Sequence, residues 1–145
     1  IAGSFTHAFI DLPSTLNQEI LQVATDASEA VLVVMTPELP AIWRTHRLLT
    51  LLASAGCGNR LRLILNRDDS TDEINEREIV KALNHPIYLR IPNNYKSSIQ
   101  SINKGKPIVD VNHSNLAASY RKLTQDLTGL GLDKSRRGGL SRLFS

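Results

Sequence analysis

The run Val31-Leu32-Val33-Val34 contains only branched aliphatic side chains and lies between Glu29 and Thr36. A strand with one face in water alternates apolar and polar residues, and this run does not alternate. A continuous apolar run is typical of a strand in a parallel sheet that helices cover on both faces. We therefore predict a strand over Glu29 to Thr36 that is buried from both sides.

Three more β-rich runs precede and follow this strand, with helical stretches between them. They cover Phe5 to Asp11, Arg60 to Arg67 and Pro86 to Ile91. Alternating strands and helices need crossover connections, which are right-handed and place successive strands parallel. The sequence thus predicts an α/β fold with a mainly parallel sheet and flanking helices.

Capping signals predict where the helices begin and end. Thr36 is a candidate N-cap, followed by Pro37 in the first turn of a helix that stops at Gly56. Asn75 and Glu78 have the spacing of a capping box. In the later helices we expect Ile99 and Ile102 to face inward, Gly105 and Gly129 to act as stops, and Ser114 to act as an N-cap.

Composition narrows the class of protein. The chain has 145 residues, of which 41% are hydrophobic and 21% charged, as in a globular domain. The lone cysteine, Cys57, excludes a disulfide framework and favours a reducing compartment. No apolar run approaches the roughly 20 residues of a membrane-spanning helix. We expect a cytoplasmic protein.

The net charge of +3 is concentrated in residues 130–145, which contain four basic residues and one acidic residue. The rest of the chain is neutral overall, whereas nucleic-acid binders spread Lys and Arg over a face, so binding to nucleic acid is disfavoured. The acidic residues between Asp68 and Glu78 lack the glycine of a calcium loop. We interpret them as a solvated loop and helix start.

The segments that leave the predicted strands at their carboxyl ends are rich in polar residues. They are Asp11-Leu12-Pro13, Thr36-Pro37-Glu38, Asn66-Arg67-Asp68 and Ile91-Pro92-Asn93-Asn94. Open α/β sheets bind ligands outside these ends. We therefore expect an acid, an amide and a guanidinium along one edge of the sheet.

In this order, the motifs resemble the second half of a MinD/ParA-type (deviant Walker) ATPase, and most of all the TadZ/CpaE-type pilus-assembly proteins. The matching stretches are Phe9 to Pro13, Val31 to Pro40, Leu61 to Arg67, Ile91 to Tyr95 and Ile102 to Pro107. They extend over nearly the whole chain. The resemblance implies a P-loop NTPase-like fold of the SIMIBI type, with ATP and Mg²⁺ as cofactors.

The resemblance implies that Asp11 holds the Mg²⁺ shell, usually through water in the family pattern, because Mg²⁺ is a hard cation that keeps several waters. The alternative is an Asp that only ends a strand. Asn66 matches the amide that reads the adenine edge, and Arg67 accompanies it. Pro92, Asn93 and Asn94 match the loop that closes over the base. The alternative is that Asn66 and Asn94 are turn formers.

One departure from the family concerns the phosphates. The family holds them with a glycine-rich loop that carries a lysine. Gly56-Cys57-Gly58 lacks the following lysine and threonine, and Gly105-Lys106-Pro107 has a proline where a helix should begin. We expect residues 1–129 to be the C-terminal part of a MinD/ParA-like ATPase domain, or a degenerate member. This chain alone is not expected to hydrolyse ATP.

Residues 130–145 form a basic tail that is either amphipathic or flexible. The tail resembles the C-terminal membrane-targeting segment of MinD-type proteins. If the tail is helical, Leu140, Leu143 and Phe144 share one apolar face. The cations Arg137 and Arg142 then point to the headgroups of an anionic membrane. The alternatives are a solvated disordered tail and sequence-independent attraction to DNA.

The function implied by the resemblance is that of an ATPase-family component of type IV (Flp/Tad) pilus assembly or polar positioning. Such a protein would be a homodimer at the inner face of the cell membrane, with pilus-assembly or polar-localisation proteins as partners. Two alternatives remain. One is a non-catalytic interaction scaffold, and the other is a DNA-partitioning ATPase, which the neutral body disfavours.

Overall fold

Three strands, β1 (Val31–Met35), β2 (Leu61–Asp68) and β3 (Ile87–Pro92), form a parallel sheet in the order β1-β2-β3. The computed structural model that shows this sheet describes residues 5–13, 18–69, 73–111 and 113–130. The predicted parallel α/β architecture is confirmed.

Helices connect the strands and cover the sheet. They are α1 (Gln18–Asp26), α2 (Leu39–Ser54), α3 (Glu76–Leu83), α4 (Tyr95–Lys104), α5 (Ile108–Val111) and α6 (Asn115–Thr128), with a 3₁₀ turn at Gly58–Arg60. None of the helices in the described ranges is both long and apolar enough to cross a membrane.

The core lies on both sides of β2. On one face, Leu63 and Leu65 pack with Leu52 of α2 and Ile79 of α3. On the other face, Ile64 packs with β3 and with Leu116 of α6. Because successive side chains of a strand point to opposite faces, the central strand is apolar at successive positions. Leu63, Ile64 and Leu65 are all at most 1% exposed.

Strand β1 is well covered on one face and only partly covered on the other within the described residues. Val33 and Met35 belong to the core beneath α2, but Val34 on the opposite face is 57% exposed. On that side, α6 packs mainly on β3, and of β1 only Leu32 joins the cluster around Ile64. The prediction that β1 is buried on both faces is therefore wrong for the described part of the chain.

The prediction of a strand over Phe5 to Asp11 is also wrong. Residues 5–13 have no regular secondary structure, and Phe5 and Phe9 are 69% and 74% exposed. A strand is stable when a neighbour completes its backbone hydrogen bonds, and this segment pairs with no strand in the described ranges.

Some predicted helix ends shift in the structure. Helix α2 has Glu38, not Thr36, at its N-cap, and Pro40, not Pro37, lies in its first turn. No side-chain hydrogen bond caps this end, and Pro40 presets the backbone of the first turn and has no N–H group to satisfy. The prediction that Ile102 faces inward is wrong, since this residue on α4 is 71% exposed. It lies near the end of that helix, which stops at Gly105 in the left-handed conformation, as predicted.

The other caps are confirmed. The Asn75 side chain accepts from the backbone N–H of Glu78 at 3.2 Å, and the Glu78 carboxylate accepts from the N–H of Asn75 at 2.9 Å. Ser114 caps α6 through the N–H of Ala117 at 3.2 Å, and Gly129 ends that helix with a positive φ of 65°. These short-range hydrogen bonds need only the local sequence.

Because of Tyr88 on β3, the stability of the fold should change with pH in the alkaline range. Burial, together with the negative charge of Asp126, raises the pKa of the Tyr88 phenol, although Arg62 nearby lowers it. The guanidinium carbon of Arg62 lies 5.6 Å from the ring centroid. A raised pKa means that the folded state favours the neutral phenol, so folding retains a proton that the unfolded chain releases.

We predict that Tyr88→Phe flattens the alkaline loss of stability. The contribution of Tyr88 is present below its unfolded pKa of about 10 and is lost as pH rises through the folded pKa. The free energy of unfolding, measured with urea at pH 8 to 11, should therefore fall more steeply for the wild type than for the Phe variant. Parallel curves would contradict this assignment.

Candidate functional site at the carboxyl edge of the sheet

The carboxyl ends of β2 and β3 lie side by side. Asn66 is in register with Ile91, and Asp68 with Pro92. Beyond the last strand pair, the N–H of Asn93 donates to the carbonyl oxygen of Asp68 at 2.8 Å. The structure thus brings two of the predicted polar segments together at one edge.

Strand β1 ends at the same edge, one position further along the sheet. Met35 is in register with Leu65, so the segment from Thr36 to Glu38 leaves the sheet beside the β2 end. Glu38 is exposed, while Thr36 and Pro37 are half-buried. This edge therefore carries polar groups from all three strands, as parallel pairing requires.

Arg67 has a strained backbone at the centre of this edge. Its φ is +56°, a left-handed value that is uncommon for residues other than glycine, asparagine and aspartate. The register between β2 and β3 shifts between Asn66 and Asp68, so Arg67 forms a bulge. The Asn66 side-chain oxygen accepts the N–H of Arg67 at 3.0 Å, which replaces the hydrogen bond lost from the sheet.

This arrangement leaves donors available to a ligand. Within the described residues, the Nδ2 group of Asn66 has no hydrogen-bond partner, and Arg67 is exposed and forms no ion pair. A planar guanidinium and an amide donor on adjacent residues can contact a flat heterocycle by stacking and by hydrogen bonding to its edge. Pro92 adds a half-buried apolar surface beside them.

Asn94 has a structural role in this region. Its side-chain oxygen accepts the N–H of Ser97 at 3.0 Å and so caps α4. Its Nδ2 group is 3.4 Å from the side-chain oxygen of Asn115 at the start of α6. The interpretation of Asn94 as a turn and cap residue accounts for both contacts.

The sequence analysis missed Arg90, which organises the outer part of the edge. Arg90 of β3 contacts Asp68 Oδ2 through Nε at 2.9 Å and Nη2 at 2.7 Å, and Glu76 Oε2 through Nη1 at 3.0 Å. The hydrogen bond to Asp68 is the main cause of the raised pKa of Arg90. The residues around this network line a surface depression of about 430 Å³: Asp68, Asp69, Ile74, Asn75, Glu76, Arg77 and Arg90.

A signal for Arg90 exists in the sequence. It is a cation between apolar residues in a strand, and an acid-rich segment precedes that strand. The interpretation of the acids as a solvated loop and helix start fits Glu76, which lies exposed in the first turn of α3, but it missed that Asp68 and Glu76 both pair with Arg90. Pairing across 22 and 14 residues depends on the strand register, which local patterns do not specify.

Asp11 lies in an exposed segment without regular structure and does not follow a strand. In the described part of the chain, no group of three or more His, Cys, Asp or Glu residues could hold a metal ion. The assignment of Asp11 to a Mg²⁺ shell stays a prediction, because Mg²⁺ usually keeps several waters and takes only one or two protein carboxylates. The predicted membrane-contact residues, Arg137, Leu140, Arg142, Leu143 and Phe144, lie outside the described residues.

No protein-family profile matches the chain. A septum site-determining protein MinD from Chlorella vulgaris, named as putative, is 33% identical over 110 residues, which are 72% of this chain and 38% of that protein. A ParA family ATPase from Chlorobium tepidum is 30% identical, with a TM-score of 0.60, over 66% of this chain and 40% of its own. The relatives of this chain are MinD/ParA ATPases.

The fold supports the same conclusion. A chain of the MinC:MinD cell division protein complex from Aquifex aeolicus matches 81% of this chain and 50% of its own, with a TM-score of 0.64 and 24% identity. The parallel sheet and its flanking helices are thus the P-loop NTPase-like fold of MinD/ParA proteins. The chain spans half or less of the length of each of these three proteins.

We predict that Arg67→Gly stabilises the fold, because glycine adopts a positive φ without steric conflict. The expected rise in the free energy of unfolding is about 1 kcal/mol, measured by urea unfolding. Arg77→Gly, the same change at an exposed position inside α3, is the control and should instead cost about 1 kcal/mol. A loss of stability in both variants would contradict the strained conformation of Arg67.

Proposed function

We propose that this chain is the C-terminal part of the nucleotide-binding domain of a MinD/ParA-type ATPase, and that the carboxyl edge of β2 and β3 receives the adenine base of ATP. The observation that carries the proposal is the junction of the two predicted base-binding segments, in which Asn93 N–H donates to Asp68 O at 2.8 Å. Its MinD and ParA relatives support the same assignment.

The chemistry of the edge fits a purine. The unpaired Nδ2 group of Asn66 donates to a ring nitrogen, and the exposed guanidinium of Arg67 stacks on the ring face. Pro92 provides the opposing apolar contact, and Asn93 encloses the base from the β3 side. Asn94 acts indirectly in this proposal, by fixing the start of α4.

The phosphates and the metal need further groups. The 145 residues contain no glycine-rich loop with a lysine, and the chain spans 38% to 50% of the three proteins compared above. We propose that ATP hydrolysis requires the part of the relatives that this chain does not span. When Mg²⁺ is bound, it neutralises phosphate charge. Asp11 would join its shell through water once a neighbouring strand orders the segment that carries it.

The cellular role that we propose is positioning at the inner face of the membrane, as a homodimer with partners in pilus assembly or polar localisation. The sequence motifs quoted above and the basic tail support this role, whereas the relatives themselves are described as MinD and ParA proteins. The chain outside the tail has no net charge, so DNA partitioning is disfavoured.

An interaction scaffold without nucleotide chemistry is the second candidate. The observation that favours it is the exposed apolar surface of α2, where Trp43 is 69% and Leu39 is 58% exposed. Trp43 lies four positions after Leu39, so both lie on one face of the helix. Tryptophan is enriched among the residues that dominate protein interfaces.

The nucleotide proposal predicts that Asn66→Ala weakens ATP binding. Loss of one hydrogen bond to the base should cost about 1–3 kcal/mol, measured by calorimetric titration of the chain with Mg²⁺-ATP. Asn103→Ala, at an exposed position of α4, is the control and should leave the affinity unchanged. Equal affinity in both variants would favour the scaffold.

The membrane proposal predicts that deletion of residues 136–145 abolishes pelleting with phosphatidylglycerol vesicles. Basic residues near an anionic surface contribute about 1 kcal/mol each, so the Arg137→Glu/Arg142→Glu variant should pellet weakly as well. Lys81→Glu/Lys122→Glu makes the same change of charge at exposed positions of α3 and α6 and is the control. Undiminished pelleting by the truncated chain would remove the membrane role.

A further inference from the structure

The ion pairs of Arg90 join three segments of the chain at the candidate site. Arg90 lies on β3, Asp68 ends β2, and Glu76 begins α3. Two nitrogens of the guanidinium contact Asp68 Oδ2, at 2.9 and 2.7 Å, while the third reaches Glu76 at 3.0 Å. The Asp68 side chain is only 16% exposed, so solvent screens this contact less than an ordinary surface pair.

Asp68 is also the residue that connects the two base-binding segments. Its carbonyl oxygen accepts the N–H of Asn93, and it directly follows Arg67 with its left-handed backbone. The side chain of Asp68 is therefore held by Arg90 while its backbone sets the positions of Arg67 and Asn93. A residue in a strained conformation persists only where its surroundings fix it, and such strain is common at ligand sites.

We propose that Arg90 is a positioning residue for the base-binding edge: by holding Asp68 against Glu76, it keeps Asn66 and Arg67 in register with Pro92 and Asn93. This inference rests on the proposed function and adds a specificity determinant to it. The geometry requires a fork of three donors rather than a charge alone. Lysine presents a point charge and cannot reproduce the contacts to both acids.

The test compares Arg90→Gln with Arg77→Gln. Arg77 lines the same depression and forms no ion pair in the described ranges, so its replacement removes the same charge without breaking the network. The first measurement is amide hydrogen exchange by NMR in the full chain without nucleotide. The second is the affinity for Mg²⁺-ATP and for Mg²⁺-ITP, in which the ring nitrogen N1 carries a hydrogen and cannot accept from the Asn66 Nδ2 group.

The expected results are specific to the edge. In Arg90→Gln, and also in Arg90→Lys, the Asn93 amide should exchange several-fold faster, and ATP should bind about three- to tenfold more weakly. Binding of ITP should change less, so the preference for ATP over ITP falls. A general loss of stability would weaken both nucleotides equally and leave this ratio unchanged.

Three outcomes would overturn either the role of Arg90 or the binding of nucleotide by this chain. Asn93 exchange and an ATP-to-ITP ratio that match those of Arg77→Gln would refute the role of Arg90. Full rescue by Arg90→Lys would show that charge, not the fork of contacts, is what matters, and would refute the positioning geometry. A wild-type chain that binds neither nucleotide would refute nucleotide binding by this chain, while the exchange of Asn93 would still decide whether Arg90 holds the edge.

Discussion

Parallel pairing of β2 with both of its neighbours is the constraint on which the rest of the structure depends. Leu63, Ile64 and Leu65 are buried at successive positions, so helices must cover both faces of this strand. Parallel pairing also brings the carboxyl ends of β1, β2 and β3 to one edge. The packing of an apolar strand thus determines where the polar segments meet.

The irregular end of β2 converts this edge into a candidate site. The bulge removes Arg67 from the regular pairing of β2 with β3 and gives it a positive φ, and the residue is exposed. The other residue with a positive φ and a side chain, Asn84, ends helix α3, where such a conformation is ordinary. The strain at Arg67 has no such helix-ending role, and two acids and Arg90 lie beside it.

Exposed apolar surface is the second feature that bears on function. Val34 on β1 and Trp43 on α2 are both more than half exposed, although they flank the main core. Val34 lies on the face of β1 opposite to α2, so only Trp43 joins Leu39 in the exposed apolar surface of α2. It accompanies a chain that spans only part of the length of its MinD and ParA relatives, and it is the surface on which a scaffold role would depend.

The local sequence was sufficient for the features that short-range physics controls. These are the three described strands, the capping box at Asn75 and Glu78, the Ser114 cap, and the glycine stops, each of which depends on residues within one turn or on an apolar run. The strand at Phe5 to Asp11 was wrong because a strand needs a partner that a local pattern does not supply. Only the tertiary structure decided that Arg90 meets Asp68 and Glu76, that Arg67 lies at a bulge between β2 and β3, and that Asn94 contacts Asn115. The physical reason is that these contacts depend on strand register and helix placement, which bring together residues far apart in the chain.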